Sequence, residues 1–304
     1  MRVAHAVVCK LPWPVGRGLA WVGGTAAYYV VRRERCIAIE NLTHAFGDDR
    51  SPAEIRALAR NVFRHVATAV IDWLILRQWP QEKLRKRFPE VYEQFREMAR
   101  KAEACGKGVV AVTAHCGCWE LSTLFASRFT PGRFAALAKR TYFEKYNDFI
   151  TRLRTESGFE IIYTDDSPRK MMRTLKAGKV LALLSDQDLR TNSGIFVDFF
   201  GRPAYTVTFP VQLARKVGVK MTFSLLLREG RSFRFILEDP YDPPQTGNEN
   251  EDVLEGTRIW TRKLEEHIRK YPDQWMWFHR RWRTKPGQGR GQRVRNRSVT
   301  GGEN

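Results

Sequence analysis

The chain has 304 residues, of which 43% are hydrophobic and 12% aromatic, so the composition excludes a disordered protein and supports a sizeable core. Its formal net charge of +19 indicates an anionic partner, for which nucleic acid, an anionic membrane surface and an acidic carrier protein are the candidates. The five cysteines are odd in number and lack the spacing of a disulfide framework, which favours a reducing, cytosol-facing compartment.

The first apolar segment, Leu11 to Val31, is interrupted by two prolines, an arginine and a pair of glycines. It is therefore too broken for a transmembrane helix, which needs about 20 consecutive apolar residues, and it lacks a clear signal-peptide cleavage site. Its aromatic residues and the Arg32-Arg33 pair that follows favour a helix lying in the membrane interface. A helix buried in the protein core is the alternative interpretation.

Helical periodicity continues to residue 105. Ser51 and Glu54 form a capping box, which predicts the start of a helix that runs to Leu76. A polar helix is expected over Pro89 to Cys105.

Beyond Gly106 the pattern changes to short apolar runs that alternate with amphipathic helices. The predicted strands are Val109–Thr113, Phe134–Ala138, Glu160–Tyr163, Val180–Leu184 and Lys220–Leu227, with Phe233–Glu238 as a hairpin partner. The predicted helices are Tyr142–Ser157, Ser167–Ala177, Thr208–Val217 and a last long one from about Glu249 to Lys270. This alternation predicts an α/β fold with a mixed, largely parallel central sheet covered by helices.

These patterns divide the chain into three parts. Residues 1–105 form a helical, membrane-associating part, residues 106–286 an α/β core, and residues 287–304 a basic tail whose composition predicts disorder. The core ends in a cluster of tryptophans and arginines at Trp275–Arg283, a composition that suits an anionic lipid interface. The same composition suits RNA stacking, although no nucleic-acid fold signature accompanies it.

The most informative stretch runs from Gly108 to Glu120, where a buried strand ends in His115 and a helix begins at Glu120. His115 is therefore expected at the carboxyl end of a parallel strand, where ligands bind in open α/β sheets. Glu120, about one helical turn onward, can turn back and hold the imidazole in one tautomer. The pair predicts a general base and its orienting carboxylate.

Further charged residues follow other predicted strands. Asp186 and Asp188 come directly after Val180–Leu184, where they could orient a base, bind a polar acceptor, pair with an arginine or cap the next turn. Arg152 and Arg154 are two residues apart on a predicted helix, so at most one is expected to reach the site directly. Lys139-Arg140 lies just past another strand end, and all four cations could contact phosphate or form a solvated face.

No metal or cofactor site is indicated by the sequence. Cys116 and Cys118 flank the central motif, but no second Cys/His cluster lies at metal-site spacing. Packing is the preferred interpretation of both thiols, because nothing marks either as a nucleophile with a lowered pKa.

Taken in order, several segments of the chain resemble the bacterial lipid A biosynthesis acyltransferase family, within the wider lysophospholipid acyltransferase superfamily. The matching segments are Asn41-Leu42, Arg60–Phe63, Ala114–Glu120, Arg152–Arg154, Asp186–Asp188, Gly194–Gly201 and Trp275–Trp282. The resemblance extends to about Pro286 and implies a glycerolipid acyltransferase-like fold. It implies an enzyme on the cytoplasmic face of the inner membrane that transfers a fatty acyl chain from acyl carrier protein or acyl-CoA to a hydroxyl of an anionic glycolipid, a lipid A precursor.

Carried over to this sequence, the resemblance implies that His115 is the general base and Glu120 its orienting carboxylate. Arg152, Arg154 and Asp186 would help to form the site, with Asp188 as a further candidate. Two alternatives stay open. One changes the acceptor to a glycerophospholipid, a phosphoinositide mannoside or an amino-acid lipid, and the other is a non-catalytic basic protein that binds RNA or membranes.

Overall fold

The structure is a computed structural model that describes residues 8–139, 151–155, 158–189 and 194–287. Before the first strand, the described residues include the helices α1 Trp13–Val30, α2 Arg32–Phe46, α3 Pro52–Leu76, α4 Gln81–Arg87 and α5 Pro89–Ala104. The part that follows contains β1 Val109–Thr113, α6 Trp119–Phe129, β2 Phe134–Ala138, β3 Glu160–Tyr163, α7 Pro168–Lys176, β4 Val180–Leu184, β5 Gly194–Phe199 and β6 Arg202–Val207. The last elements are α8 Phe209–Val217, β7 Met221–Glu229, β8 Ser232–Leu237 and α9 Glu249–Lys270.

The central sheet has the strand order β3-β2-β4-β1-β7-β8. All neighbouring strands are parallel except β8, which pairs antiparallel with β7 as the predicted hairpin. This confirms the mixed, largely parallel sheet. The carboxyl ends of β1, β2, β3 and β4 consequently lie along one edge.

Alternate side chains of β1 enter two different hydrophobic clusters, which explains why the strand is a continuous apolar run. Val110 and Val112 pack on the side that carries α2, α8 and α9. Val109 and Ala111 pack on the side that carries α5 and α6. The helices therefore cover both faces of the sheet.

The predicted capping box is present at the start of α3. The Ser51 backbone N–H donates to Glu54 Oε2 at 2.8 Å, and the Glu54 N–H donates to Ser51 Oγ at 3.4 Å. The helix then packs along α1, and Gly24 permits the close approach because a Cβ there would lie 2.7 Å from the Phe63 carbonyl oxygen.

Two regions differ from the sequence interpretation. The antiparallel hairpin β5–β6 was not predicted as strands. Of the helix predicted over residues 142–157, residues 151–155 are described and helical. Of the predicted tail, only Gly287 lies within the described residues.

One side of α1 exposes large apolar side chains to solvent. They include Val15 at 50% exposure, Leu19 at 58%, Val22 at 59%, Tyr29 at 57% and Val30 at 77%. Within the described residues, no helix combines the length and the apolar character that crossing a membrane requires.

The opposite side of α1 packs into the protein. Two aromatic residues of the segment that the sequence assigned to a membrane interface, Trp13 and Tyr28, are each only 7% exposed. This face of α1 therefore agrees with the buried-helix interpretation, and the membrane-interface interpretation stays a prediction for the exposed face.

Candidate active site

The loop between β1 and α6 carries His115, and its backbone is tied to two neighbouring parts of the chain. The Cys118 N–H donates to the Leu226 carbonyl oxygen of β7 at 2.7 Å, and the Gly117 N–H donates to the Gln274 carbonyl oxygen at 2.7 Å. Gly117 has φ +66°, and a Cβ at this position would lie 2.1 Å from the Leu226 oxygen. Only glycine fits this turn, which fixes where His115 leaves the strand.

His115 is held by Asp186, which follows β4 at the same edge of the sheet. His115 Nδ1 lies 2.9 Å from Asp186 Oδ1, and the His115 backbone N–H donates to Asp186 Oδ2 at 3.1 Å. The Trp275 indole N–H also donates to Asp186 Oδ2, at 2.8 Å. Because a carboxylate accepts hydrogen bonds, Nδ1 carries the proton and Nε2 is left as the proton acceptor.

The electrostatics of the pair favour a proton on the imidazole. Burial lowers the pKa of His115, but the charge and hydrogen bond of Asp186, together with the charge of Glu120, raise it above the usual value overall. Burial correspondingly raises the pKa of Asp186, whereas His115 and Trp275 lower it overall. Asp186 is 2% exposed and the His115 side chain 23% exposed, so the carboxylate is enclosed while the ring reaches solvent.

The position of Glu120 differs from the prediction that it orients His115. Its carboxylate pairs with Arg154, which donates from Nε to Glu120 Oε2 at 2.9 Å and from Nη2 to Oε1. Asp186 thus forms the hydrogen bond expected of Glu120, because the sheet order places β4 directly beside β1. Glu120 still lies close enough to raise the pKa of His115 by its charge.

The remaining predicted site residues are distributed as follows. Asp188 is buried, and its carboxylate accepts from the Thr284 N–H at 2.8 Å and the Thr284 hydroxyl at 3.0 Å. It therefore fixes the C-terminal segment. Lys139, directly after β2, and Arg152 are exposed, and Arg140 lies outside the described residues.

The sequence did not indicate that Trp275 takes part in the site, and the composition of the cluster was interpreted as suiting an anionic lipid interface or RNA stacking. Trp275 and Trp277 are at most 1% exposed, and Arg281, also 1% exposed, donates to the Tyr205 carbonyl oxygen at 2.6 Å. The difference has a simple cause, since this composition is shared by interface segments and by buried clusters in which indole and guanidinium groups donate hydrogen bonds to neighbouring oxygens. The Met276 N–H donates to the His115 carbonyl oxygen at 2.9 Å, so the segment also supports the loop.

Neither cysteine beside His115 has the character of a nucleophile. Cys116 and Cys118 are each 1% exposed. Burial raises the pKa of both thiols, that of Cys118 to about 11. Their surroundings oppose thiolate formation, in agreement with the packing interpretation.

A narrow apolar cavity of about 50 Å³ begins beside the loop between β1 and α6, which we call the catalytic loop. Trp119 lines it, and the ring of Trp119 meets the His115 ring edge-on with centroids 5.6 Å apart. The cavity also touches Phe95 and Met98 of α5, Ala126 of α6 and Phe235 of β8.

This geometry defines a class: an α/β protein with a histidine–carboxylate pair at the ligand-binding edge of its sheet and an apolar cavity beside it. The chain belongs to the bacterial lipid A biosynthesis acyltransferase family, whose sequence profile matches residues 2–284. Acyl transfer to a lipid acceptor is the activity this membership assigns, and it removes the non-catalytic alternative.

Individual relatives show how broad the family is. The chain is 27% identical to a lipid A biosynthesis lauroyltransferase of Escherichia coli, over 92% of this chain and 89% of the relative. It is 25% identical to a lipid A biosynthesis palmitoleoyltransferase of the same organism, over 91% and 88% of the two chains. A phosphatidylinositol mannoside acyltransferase of Mycobacterium tuberculosis is 25% identical over 64% of this chain and 61% of its own length.

Proposed function

We propose that this enzyme transfers a fatty acyl chain from a thioester donor to a hydroxyl of a lipid A precursor, with His115 as the general base. The observation that carries the proposal is the bond from His115 Nδ1 to Asp186, which leaves Nε2 available to accept a proton. A strand-end base that is oriented in this way suits deprotonation of a substrate hydroxyl. The two Escherichia coli relatives described above have names that specify lipid A biosynthesis, which supports the choice of acceptor.

The reaction proceeds through direct attack of the acceptor. His115 Nε2 takes the hydroxyl proton as the hydroxyl oxygen bonds to the thioester carbonyl carbon. The tetrahedral intermediate then collapses, the carbon–sulfur bond breaks, and the imidazolium returns its proton to the leaving thiolate. The products are an ester and a free thiol, and Asp186 stabilises the imidazolium that forms between the two steps.

Two groups near His115 can stabilise the negative oxygen of the intermediate. The first turn of α6 begins at Trp119, and its N–H groups have no partner within the helix, which makes it a favourable place for negative charge. The second is Arg154, whose pairing with Glu120 holds its guanidinium near the same turn. We assign Glu120 to positioning Arg154 and to raising the proton affinity of His115.

The apolar cavity beside Trp119 is the proposed entrance for the acyl chain. Its lining is dominated by aromatic and small apolar side chains, which favour a hydrocarbon over a polar group. Its volume of about 50 Å³ is less than a long acyl chain occupies. Side chains of α5 and α6 must therefore move when the donor binds.

The exposed apolar side of α1 supports the proposal that the enzyme works on the cytoplasmic face of the inner membrane. Trp21 and Tyr29 are 51% and 57% exposed on this helix, and aromatic residues of this kind favour the headgroup level of a bilayer. Arg32 and Arg33 follow directly, where they can meet anionic lipid phosphates. The net charge of +19 favours both an anionic acceptor and an acidic carrier protein as donor.

A phosphatidylinositol mannoside is the second candidate acceptor, because one relative has a name that specifies it. The two proposals share His115 and differ only in the lipid that presents the hydroxyl.

Lipid mass spectrometry separates them. The purified enzyme is incubated with acyl carrier protein or CoA thioesters and, in separate reactions, a lipid A precursor, a phosphatidylinositol mannoside and a lysophospholipid. An added acyl group on the lipid A precursor alone supports the proposal, and acylation of another lipid alone overturns it. The lipids of a deletion strain provide the same comparison in the cell, since the missing chain identifies both the acceptor and the chain length.

A further inference from the structure

A second, polar cavity of about 280 Å³ lies at the same edge of the sheet, between α1, α3 and the end of β7. Its size is close to the lower limit of about 300 Å³ for small-molecule sites. Its lining does not include His115, Asp186, Glu120 or Arg154, although His65 and Gln274 of the lining hydrogen-bond to the backbone of Gly117 in the His115 loop. The lining residues are Trp21, Asn61, Arg64, His65, Thr68, Arg228, Gly230, Asp273 and Gln274.

Arg64 supplies the first positive charge. Among the residues that the structure describes, no carboxylate forms a salt bridge with it. Its Nε donates to Thr25 Oγ1 at 2.8 Å and its Nη1 to Asn61 Oδ1 at 3.0 Å. Burial and the charge of Arg60, one turn earlier, lower the pKa of Arg64, so an anion at this place would relieve an uncompensated repulsion.

Arg228 supplies the second charge from the wall of the cavity. Its side chain is 11% exposed and its Nη2 lies 3.1 Å from Asp72 Oδ2. Asp72 also faces Arg17 Nε at 3.5 Å, so two guanidinium groups share one carboxylate. The Nε of Arg228 is buried without a hydrogen-bond partner in the described part of the chain.

The lining contains two further titratable groups. His65 is neutral, because burial and the charge of Arg228 lower its pKa to about 3. Asp273 is the one carboxyl group in the lining, and burial raises its pKa. The two arginines of the lining outnumber this single carboxyl group.

The mouth of the cavity adjoins the exposed apolar side of α1. The guanidinium of Arg64 lies 4.0 Å from the ring centroid of Trp21, and Trp21 is 51% exposed. Val22 follows it at 59% exposure. A ligand in the cavity therefore meets cations inside and an apolar, aromatic surface outside. These surroundings match the anionic headgroup and the adjoining apolar part of a lipid.

We infer that this cavity binds the phosphate group of an anionic membrane lipid, at a site separate from the reacting groups. Arg64 offers a planar fork to two phosphate oxygens, and the Asn61 amide N–H₂ offers a neutral donor beside it. The apolar side of α1 then contacts the acyl region of the same leaflet. The inference does not rest on the proposed reaction, because neither His115 nor Asp186 takes part.

Vesicle co-sedimentation tests the site in a His115→Ala background, so that binding is measured without chemistry. The vesicles are phosphatidylcholine alone or phosphatidylcholine mixed with phosphatidylglycerol. The informative variant is Arg64→Lys, which keeps the charge but loses the fork. We expect Arg64→Lys to weaken binding to the anionic vesicles about tenfold, and Asn61→Leu to weaken it in the same direction without any change in charge.

The matched control is Arg56→Gln, an exposed position on α3 that lies outside the cavity lining. We expect it to change binding by about twofold or less, as for a screened surface charge. Arg64→Gln is included for comparison with this control. If Arg64→Lys and Asn61→Leu bind as the wild type does, while Arg64→Gln and Arg56→Gln weaken binding equally, the vesicles are attracted by overall charge. That result would overturn the site. A thermal melt shows whether each variant is folded.

Free phosphate is distinguished in a separate arm. Inorganic phosphate is titrated into the same protein without vesicles and followed by thermal stabilisation. Absence of stabilisation at concentrations that leave vesicle binding intact supports the lipid assignment. If phosphate stabilises the protein, Arg64→Lys abolishes this stabilisation and the same substitution leaves vesicle binding unchanged, the cavity binds free phosphate. That result would overturn the lipid assignment.

Discussion

Two histidines lie close to the Gly117 turn and have opposite electrostatic surroundings. His115 faces the carboxylate of Asp186, and its pKa is raised above the usual value despite burial. His65 faces Arg228, whose Nη1 lies 3.4 Å from His65 Nδ1, and burial together with this charge lowers its pKa to about 3. The same side chain is thus a proton acceptor in one place and a permanently neutral hydrogen-bonding group in the other.

The two rings are joined through the backbone of the catalytic loop. His65 Nε2 lies 3.0 Å from the Gly117 carbonyl oxygen, so its proton must be on Nε2 while Nδ1 accepts from Arg228. A neutral donor can hold this carbonyl at every physiological pH, whereas His115 must change its charge in each catalytic cycle. Burial lowers the pKa of both rings, and the charge of the neighbouring group then separates them, because Asp186 raises the pKa of His115 whereas Arg228 lowers that of His65 further.

Replacing His115 tests the first half of the comparison and has the largest expected effect. His115→Gln removes the proton acceptor, and we expect acyl transfer to fall about 10³-fold. The measurement is the initial rate of acylation of the preferred lipid, with circular dichroism to show that the variant is folded. Wild-type rates in a folded variant would refute a base at this position.

Asp186→Asn tests whether the carboxylate sets the proton affinity of His115. The active form of His115 is neutral, so a raised pKa means that the rate falls as the pH is lowered through a value above the usual pKa of histidine. Removing the charge of Asp186 lowers that pKa. We therefore expect the acidic limb of the pH–rate profile to move to lower pH, and the rate at the optimum to fall about 10²-fold or more.

The control for Asp186→Asn is Glu120→Gln. Because Glu120 also raises the pKa of His115 but has no hydrogen bond to its ring, a smaller displacement of the same limb is expected. If Asp186→Asn reduces the rate but leaves the acidic limb of the pH–rate profile unchanged, Asp186 does not set the pKa of His115 and only positions its ring.

Much of this edge of the sheet could be predicted from the sequence. The bounds of β1 and β4 agree with the prediction, because each is a five-residue apolar run next to glycine or polar residues. The predicted ends of these two strands therefore located His115 and Asp186 at the edge of the sheet where ligands bind. Orienting a base was one of several roles left open for Asp186.

The choice between Asp186 and Glu120 could not be made from spacing. It depends on the order of the strands in the sheet, where β4 pairs with β1 although β2 and β3 lie between them in the chain. The contribution of Trp275 has the same origin, since its indole reaches Asp186 across 89 residues of sequence. The hairpin β5–β6 was missed because Asp198 and Pro203 interrupt its apolar pattern.

Replacing His65 tests the second half of the comparison, the neutral hydrogen bond to the catalytic loop. We expect His65→Leu to lower the free energy of unfolding by about 1 to 3 kcal/mol, because it leaves the Gly117 carbonyl buried without its donor. Acyl transfer should fall by about tenfold as the loop loses its fixed position. Thermal melts and initial rates measure the two effects.

His65→Gln is the matched control, because a glutamine amide can still donate to the carbonyl of Gly117. It should recover most of both losses and should leave the acidic limb of the pH–rate profile unchanged, since His65 does not titrate in the working range. A displaced limb in either variant would show that His65 exchanges protons with the site.

The smallest effect is expected from Cys116 and Cys118, the two thiols on either side of Gly117 in the chain. Both are buried, and burial raises their pKa, so neither provides a thiolate for an acyl-enzyme intermediate. Cys116→Ala combined with Cys118→Ala should keep most of the activity and cost about 1 to 2 kcal/mol of stability through lost packing. Activity and the mass of the intact protein after exposure to the donor thioester are the measurements. Complete loss of activity in a folded double variant, or an acyl adduct on the wild-type protein that the variant lacks, would replace direct attack by a covalent route. In that case His115 would activate a thiol, and the charges around the two histidines would serve a different reaction step.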